Sequence, residues 1–417
     1  MYFKFSMNNT IFFLAGFFSI VSAFYLSLFG LNIRIYETGF YLLFLLTIIT
    51  LFTKANIRKN YGFSLVAIIV IYYFINILQL NNTNDIYEIF GYKYFINKMF
   101  FLIVYAIAFV LFREKLLVLF MLGLVYISFL NSALIWTEYL SLLNGTFVSY
   151  DFLPSIVSVD IKKEGIINQG LIRPSGLTVD PNYAAAYLGL SVVFLEKYKV
   201  LKNNFFIFLL QIFFLSTILL VFSRTAMLAL ILSFLFSVTS FVLYRKKLLL
   251  KEIVFIMLIL IGVVLSILIV DFPDLYENVL TRLFLEDSSG STRLMYLEYY
   301  FSISNIFHIL FGNGSGASGY ILSGEFNSSD FVWSPESIYI TLLIEQGLIF
   351  LVLFFLMSLI VLYKLFKKDY IYSLLFVYLL SIGLTYNYLG DRIYLFIYVM
   401  LLMFAFQKGG RIEKSVN

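Results

Sequence analysis

The sequence contains no cysteine and a single histidine, His308. Without cysteine the chain can form no disulfide bond, no thiolate metal site and no cysteine nucleophile. One histidine cannot supply a histidine-cluster metal centre, and we expect His308 to be a packing or surface residue rather than a catalytic one. Proline is also scarce, at 5 residues, and no low-complexity tract is present, which argues against a disordered chain.

Charged residues are scarce as well. They make up 13% of the chain, whereas an ordinary globular protein has about 25%. The hydrophobic fraction is 62%, with 49 Phe and 32 Tyr, and the mean hydropathy is +0.95. A water-soluble protein of 417 residues could not bury so much apolar surface in its cores. The composition therefore indicates a polytopic membrane protein embedded in the lipid bilayer, and no nucleic-acid partner is expected.

Apolar runs recur along the whole chain, each long enough to cross about 30 Å of hydrocarbon as a helix. We therefore predict an all-α fold of about twelve transmembrane helices, forming a single integral membrane domain over residues 1–417. The predicted spans lie near 10–31, 36–53, 62–80, 97–112, 115–136, 183–199, 204–222, 225–244, 252–270, 338–363, 370–388 and 391–407.

The basic residues predict the orientation of these spans. With the N-terminus inside, 19 of the 29 Lys and Arg fall on the cytoplasmic side, although the outside loops are much longer. Of the 24 acidic residues only five fall there: Glu114, Glu196, Glu252, Asp369 and Glu413. The positive-inside rule then places both termini in the cytoplasm.

Two outside segments, 137–182 and 271–337, are too long to be simple turns. Both are rich in Gly, Ser, Asn and Asp, so we expect two long extracytoplasmic loops that form a structured cap. A helix is predicted near 292–310 in the second loop, with an apolar face. Function should lie where these loops meet the outer ends of the helices.

Three arginines on this side are candidate anion ligands. Arg173 precedes a helix start at Asp180-Pro181, Arg224 lies almost directly between two apolar spans, and Arg293 begins the loop helix. A guanidinium group offers paired donors that match phosphate oxygens, so three converging arginines would suit a dianionic ligand. Each has a structural alternative: a headgroup anchor or loop salt bridge, a snorkelling side chain, and a solvated surface charge, respectively.

The segment from Ser334 to Gly347 opens the next predicted span. Glu336 would lie in the first helical turn, where the helix dipole favours a carboxylate, and a helix cap explains that placement equally well. Glu345 lies deeper in the span, where a carboxylate is a functional candidate.

The glycine-rich segment 312–316 lacks the strand and the Lys of a nucleotide-binding loop, and at most its backbone N–H groups would touch a phosphate.

Taken in order, these motifs resemble the O-antigen polymerase and O-antigen ligase superfamily of bacterial membrane glycosyltransferases. The resemblance covers roughly residues 170–365 and is carried by the order and membrane placement of the motifs rather than by any one of them. The matching motifs are Arg173-Pro-Ser-Gly with Asp180-Pro-Asn, Ser223-Arg224-Thr-Ala, Ser291-Thr-Arg293, Phe311-Gly-Asn-Gly-Ser-Gly and the segment 336–347.

One departure favours a polymerase over a ligase. Where the family pattern, especially in ligases, has His followed by Asn, this chain has Glu336 and Ser337. Ligase-like members are thought to depend on that His, whereas polymerases of O-antigen and capsule repeats vary more at this position.

The resemblance implies a transfer of the growing glycan from undecaprenyl diphosphate to the next lipid-linked repeat unit, at the outer face of the bacterial cytoplasmic (inner) membrane. It implies that Arg173, Arg224 and Arg293 bind the leaving diphosphate without a metal or other cofactor, and that Glu336 accepts the proton. Ser337 and Tyr339 are expected to contact the substrate. The partners implied are the lipid-linked oligosaccharide, a chain-length regulator and a flippase of the same pathway.

Two other functions stay open. The first is a ligase that moves finished glycan to lipid A or protein. The second, of another class, is a flippase or transporter of a lipid-linked sugar. Transporters usually have paired internal repeats and interrupted helices, and the sequence predicts neither here.

Overall fold

The structure is a computed structural model, and it describes 7–28, 31–53, 66–67, 69, 85–146, 157–159, 167–168, 171–196, 204–221, 223–244, 288–314, 316–323, 337–384 and 391–407. Helices predominate in these ranges, which agrees with the expected helical membrane protein. They are α1 Met7–Phe18, α2 Ile35–Thr53, α3 Asp85–Phe112, α4 Glu114–Leu143, α5 Pro181–Leu195, α6 Asn204–Leu220, α7 Arg224–Tyr244, α8 Ser288–Ile303, α9 Ile306–Phe311, α10 Ala317–Ser323, α11 Ile338–Lys368, α12 Tyr370–Ile382 and α13 Arg392–Phe406.

Three of these helices are long and apolar enough to cross a membrane, over Ile35–Phe52, Glu114–Leu142 and Ile338–Lys368. Seven shorter apolar helices accompany them, among them α5, α6, α12 and α13. The predicted span 252–270 lies outside the described residues, and so does the predicted span 62–80 except for residues 66–67 and 69. The chain thus has the character of a helical membrane protein, and the number twelve stays a prediction.

Within the described residues, five short strands add to the predicted all-α fold. They are β1 Phe24–Leu28, β2 Leu31–Arg34, β3 Val157–Val159, β4 Ile167–Asn168 and β5 Leu171–Ile172. β1 pairs antiparallel with both β2 and β3, and β4 pairs with β5. The predicted span 10–31 is therefore wrong in its second half: α1 ends at Phe18, and the apolar residues after it form a strand. An apolar run alone does not distinguish a helix from a buried strand, which explains the error.

The chain folds into two compact units, each assembled from separate stretches of sequence. Unit 1 comprises residues 1–55 and 114–281, and unit 2 comprises 56–113 and 282–415, apart from single terminal residues. The single integral membrane domain over residues 1–417 stays a prediction.

In unit 1, α4 packs against α1, α5 and α6. The contact between α1 and α4 is close because both helices present glycine there: a Cβ on Gly16 would lie 1.9 Å from the Phe120 carbonyl oxygen, and one on Gly123 would lie 2.1 Å from that of Phe13. Small residues allow such close approach where the solvent is lipid and apolar burial gives little driving force.

In unit 2, α9, α10, α12 and α13 pack against α11, and α8 packs against α10. The loop helix predicted near 292–310 is two helices, α8 and α9, because Asn305 caps the second one: its Oδ1 accepts the His308 N–H at 2.9 Å. The cluster at their centre contains the buried side chains Tyr300, Leu322, Ile340, Leu343 and Ile344.

Candidate functional site

Arg173 lies in the turn between β5 and α5, in unit 1, and its guanidinium is partly buried. The Arg173 Nη2 donates to Asn182 Oδ1 at 3.0 Å, and its Nε donates to the Val221 carbonyl at 3.4 Å. The side chain therefore joins the first turn of α5 to the residue that follows α6. Asn182, the last residue of the Asp180-Pro-Asn motif, was not predicted to contact Arg173.

The turn 173–180 ends in the helix start that the sequence predicts. Asp180 is the N-cap of α5, its Oδ1 accepts the Asn182 N–H at 2.6 Å, and Pro181 occupies the first turn. Within the turn the Thr178 hydroxyl bonds to the carbonyls of Ser175 and Asp180, both at 2.8 Å. Local hydrogen bonds thus give the Arg173 turn a defined shape.

The other side of the Arg173 turn rests on α4. The Gly176 N–H donates to Glu138 Oε2 at 2.9 Å, and the Leu177 N–H donates to Asn131 Oδ1 at 2.6 Å. Glu138 and Asn131 are 1% and 0% exposed. Sequence reasoning missed both, although a polar residue inside an apolar span was a signal that applied to Asn131.

Arg224 is the first residue of α7 and is exposed. Ser223 precedes it, and the Ser223 carbonyl accepts the Met227 N–H at 3.2 Å. Because Arg173 bonds to the Val221 carbonyl, the Arg173 side chain and the start of α7 lie at the same end of unit 1. The grouping of the Arg173 and Arg224 guanidinium groups in one anion site stays a prediction.

Arg293 lies in α8, in unit 2, and only its backbone is among the described atoms. The structure therefore brings together Arg173 and the segment that carries Arg224, and the convergence of all three arginines stays a prediction.

Glu336 lies outside the described residues, which resume at Ser337. Ser337 is the N-cap of α11 by its backbone, but its hydroxyl donates to the Gly383 carbonyl at 3.2 Å instead of capping the helix. The Tyr339 hydroxyl donates to the Leu380 carbonyl at 2.5 Å. Both predicted substrate contacts thus tie the start of α11 to the end of α12.

α11 is broken at Gly347, which has φ +83° and ψ 171°. The glycine-rich segment after α9 covers this break. The Asn313 N–H donates to the Ile344 carbonyl at 3.0 Å, and the Gly314 N–H donates to the Glu345 carbonyl at 2.9 Å. These two N–H groups are therefore committed to the broken helix, which is not the phosphate contact that the sequence suggested for this segment.

The hydrogen bonds of the break continue through side chains. Asn313 Nδ2 donates to the Ile344 carbonyl at 3.0 Å and to the Tyr300 hydroxyl at 3.1 Å, and Tyr300 donates to the His308 carbonyl at 3.0 Å. Burial raises the pKa of Tyr300, which keeps its hydroxyl neutral and available as a donor. His308 contributes backbone atoms to this network, in line with the packing role expected of it.

Glu345, the deeper carboxylate of α11, is 2% exposed, and its Oε1 accepts the Ser318 hydroxyl at 2.7 Å. It joins α10 to the half-helix before the break. The position thus holds a buried, hydrogen-bonded carboxylate in unit 2, close to the glycine-rich segment.

Comparison with known proteins gives one finding on function. Residues 209–355 match the model of the family described as O-antigen ligase, which is less than half of the chain. The matched range includes Arg224, Arg293, Glu336, Ser337 and Tyr339, whereas Arg173 and α4 precede it. No curated protein matches the chain.

Proposed function

We propose that the protein is a polysaccharide polymerase of O-antigen or capsule assembly, and the match of residues 209–355 to the family described as O-antigen ligase supports a role in glycan transfer. It transfers the growing glycan from undecaprenyl diphosphate to the next lipid-linked repeat unit, at the outer face of the cytoplasmic membrane. The family match carries the proposal for glycan transfer. Glu336 and Ser337, in place of the His and Asn typical of ligases, favour the polymerase within that family.

The reaction needs one bond to form and one to break. A hydroxyl oxygen of the acceptor unit attacks the anomeric carbon of the growing chain, and the bond from that carbon to the diphosphate oxygen breaks. Undecaprenyl diphosphate leaves with the bonding electron pair, and the hydroxyl proton passes to a base. Alignment of the two substrates and stabilisation of the leaving charge are the protein's contributions.

In the proposal Arg173, Arg224 and Arg293 bind and neutralise the leaving diphosphate, as a metal ion does in other transferases. The geometry that supports this is limited to unit 1. There the guanidinium of Arg173 is held beside the Val221 carbonyl, near the start of the helix on which Arg224 is exposed. Activity should therefore survive treatment with EDTA.

Glu336 is the proposed general base, and Ser337 and Tyr339 are proposed to contact the substrate. The hydroxyl groups of Ser337 and Tyr339 donate to α12, but each oxygen retains a lone pair with which to accept a hydrogen bond from a sugar hydroxyl. Glu336 precedes Ser337, so the proposed base and the proposed substrate contacts come from one short segment at the start of α11.

A deletion strain tests the polymerase against the ligase. Loss of a polymerase leaves single repeat units attached to their final acceptor, whereas loss of a ligase leaves polymer accumulating on the lipid carrier.

Glu336→Gln should abolish polymer in the complemented strain at unchanged protein level. Glu325→Gln serves as the matched control, because Glu325 is another acidic residue of the same predicted loop. Polymer of unchanged length and amount in Glu336→Gln would show that Glu336 is not the base.

A ligase is the second candidate, because the matched family is described as O-antigen ligase. A flippase or transporter is the candidate of another class. The break in α11 at Gly347 corrects the expectation that the chain has no interrupted helix. Elongation of a lipid-linked repeat unit by purified protein, without an energy source, would exclude a transporter as the whole function.

A further inference from the structure

α4 carries buried polar side chains along one face of an otherwise apolar helix. Ser128, Asn131, Ser132 and Glu138 recur at helical spacing and are all 0–1% exposed. The Ser128 hydroxyl lies 2.8 Å from that of Ser191 in α5, so this face is turned towards the neighbouring helix. Polar groups in a membrane-spanning helix are costly to bury, and such positions are commonly functional.

The two longer side chains of this face end at the Arg173 turn. Glu138 Oε2 receives the Gly176 N–H, and Asn131 Oδ1 receives the N–H of the next residue, Leu177. Gly176 has φ +61°, and a Cβ there would lie 2.2 Å from Asn131 Oδ1. The turn and α4 are thus in direct contact, with two consecutive N–H groups directed at two buried acceptors.

The Arg173 turn is therefore held from two sides. α4 holds the backbone of 176–177, and Asn182 and Val221 receive the guanidinium N–H groups of Arg173. The neighbouring residues Pro174 and Ser175 are buried, so the turn has little freedom to shift without moving the arginine.

We propose that Glu138 is a positioning residue, which sets the place of the Arg173 guanidinium by the reach of its carboxylate oxygen to the Gly176 N–H. The inference rests on the proposed role of Arg173 as a diphosphate ligand. Asn131 supports the same turn one residue later. The essential property of Glu138 is then the length of the side chain and an acceptor oxygen at its end, and its negative charge is secondary.

A pair of conservative variants separates reach from charge. Glu138→Gln keeps the length and one acceptor oxygen but loses the charge, whereas Glu138→Asp keeps the charge and shortens the side chain by one methylene. We expect Glu138→Gln to retain activity within about threefold, and Glu138→Asp to lose about tenfold or more, since a shift of about 1 Å at a reacting site has large effects. The loss should appear in kcat and in kcat/KM for the lipid-linked donor, because Arg173 stabilises the charge that develops on the leaving diphosphate, with the KM for the acceptor unchanged. The opposite order, or equal activity in the two variants, would overturn the proposal.

The same comparison in an Arg173→Lys background tests whether Glu138 acts through Arg173. If it does, Glu138→Asp should cause almost no further loss of activity in the Arg173→Lys protein, because the effects of residues that act as a unit are not additive. An undiminished loss in the Arg173→Lys background would show that Glu138 acts independently and would overturn the inference.

Folding and the wider proposal are controlled separately. Thermal unfolding gives the fraction of each variant that is folded, and activity is divided by this fraction. If the loss of activity then disappears, Glu138 has only a structural role and the proposal is wrong. If Glu138→Asp is not recovered, Glu138→Met, which keeps the length without the acceptor oxygen, takes its place. The activity of each Glu138 variant relative to wild type can be measured on polymerisation or on a single glycan transfer. If the wild-type protein catalyses neither, binding of undecaprenyl diphosphate by the purified protein is measured instead. The product of the wild-type protein decides between polymerase and ligase, and the variant pattern decides the role of Glu138.

Discussion

Gly176 shows how a single position controls the candidate site. Its backbone has φ +61°, a region that side chains other than glycine adopt at a cost, and its open side faces Asn131 and Ile135 of α4. The Arg173 turn can approach α4 closely enough for both N–H bonds only because no Cβ stands between them.

Gly176→Ala should therefore destabilise unit 1 and reduce activity. The added Cβ would meet Asn131 Oδ1 at 2.2 Å, and overpacking of this kind costs about 1–3 kcal/mol. Gly145→Ala is the matched control, since Gly145 has φ +70° but nothing lies within 4 Å of its Cβ position. Thermal unfolding of the two purified variants measures the difference, and equal melting temperatures would show that α4 does not constrain the turn.

Arg173→Ala should reduce glycan transfer by about 100-fold or more, because loss of one donor to a developing negative charge has effects of this order. Arg34→Ala is the control: Arg34 is exposed on β2, and its Nε donates to the Tyr25 hydroxyl at 3.1 Å. Initial rates with a lipid-linked repeat unit measure the effect. Retention of activity in the single Ala variants of Arg173, Arg224 and Arg293 would exclude the arginine site.

The sequence alone was sufficient to predict the Asp180-Pro181 helix start, because this signal depends on local chemistry, whereas the role of Arg173 stays a prediction. It did not reveal Glu138, which it placed in the loop 137–182, since α4 continues to Leu143 past the predicted boundary at residue 136. The contact from Glu138 to Gly176 joins residues 38 apart in sequence, and no local pattern encodes such a contact.

At the scale of elements, the break in α11 is the least regular feature. Non-helical backbone within a membrane-spanning helix needs partners for its freed carbonyls, and here Asn313 and Gly314 supply them. Glycine is required on both sides of the contact: a Cβ on Gly312 would lie 2.3 Å from the Glu345 carbonyl oxygen, and one on Gly347 would lie 2.4 Å from that of Leu310.

Gly347→Ala should destabilise unit 2, because the new Cβ meets backbone atoms and the residue must keep φ +83°. The cost should be about 1–3 kcal/mol or more, as backbone cannot move aside like a flexible side chain. Leu348→Ala, next to it and 41% exposed, should have a much smaller effect. Thermal unfolding in detergent compares the two, and equal stability would mean that the contact with the segment 312–314 does not hold the break in place.

Hydrophobic periodicity and run length predicted several element boundaries closely. The span expected at 36–53 is α2 at Ile35–Thr53, and the span expected at 204–222 is α6 at Asn204–Leu220. The strand β1 and the break at Gly347 could not be predicted in this way. Both lie inside segments predicted as membrane spans, and each depends on a partner distant in sequence, β3 for the strand and the segment 312–314 for the break.

At the scale of the whole molecule, the lack of cysteine makes the predicted orientation directly testable. A single cysteine introduced at Gly145 should react with a membrane-impermeant maleimide in intact cells that expose the outer face of the membrane. One introduced at Lys199 should react only after the membrane is opened. Labelling of both in intact cells, or of Lys199→Cys alone, would contradict the orientation given by the basic residues.

The division of the chain into two interleaved units has a consequence for biosynthesis. Unit 1 needs residues 1–55 and 114–281, and unit 2 needs residues 56–113 and then 282–415. The helix α3 is therefore synthesised long before α10 and α13, the helices of unit 2 against which it packs. An insertion chaperone that binds α3 during this delay should raise the yield of active protein. Truncation anywhere in the last third of the chain should remove the packing partners of α3 but leave most of unit 1 intact.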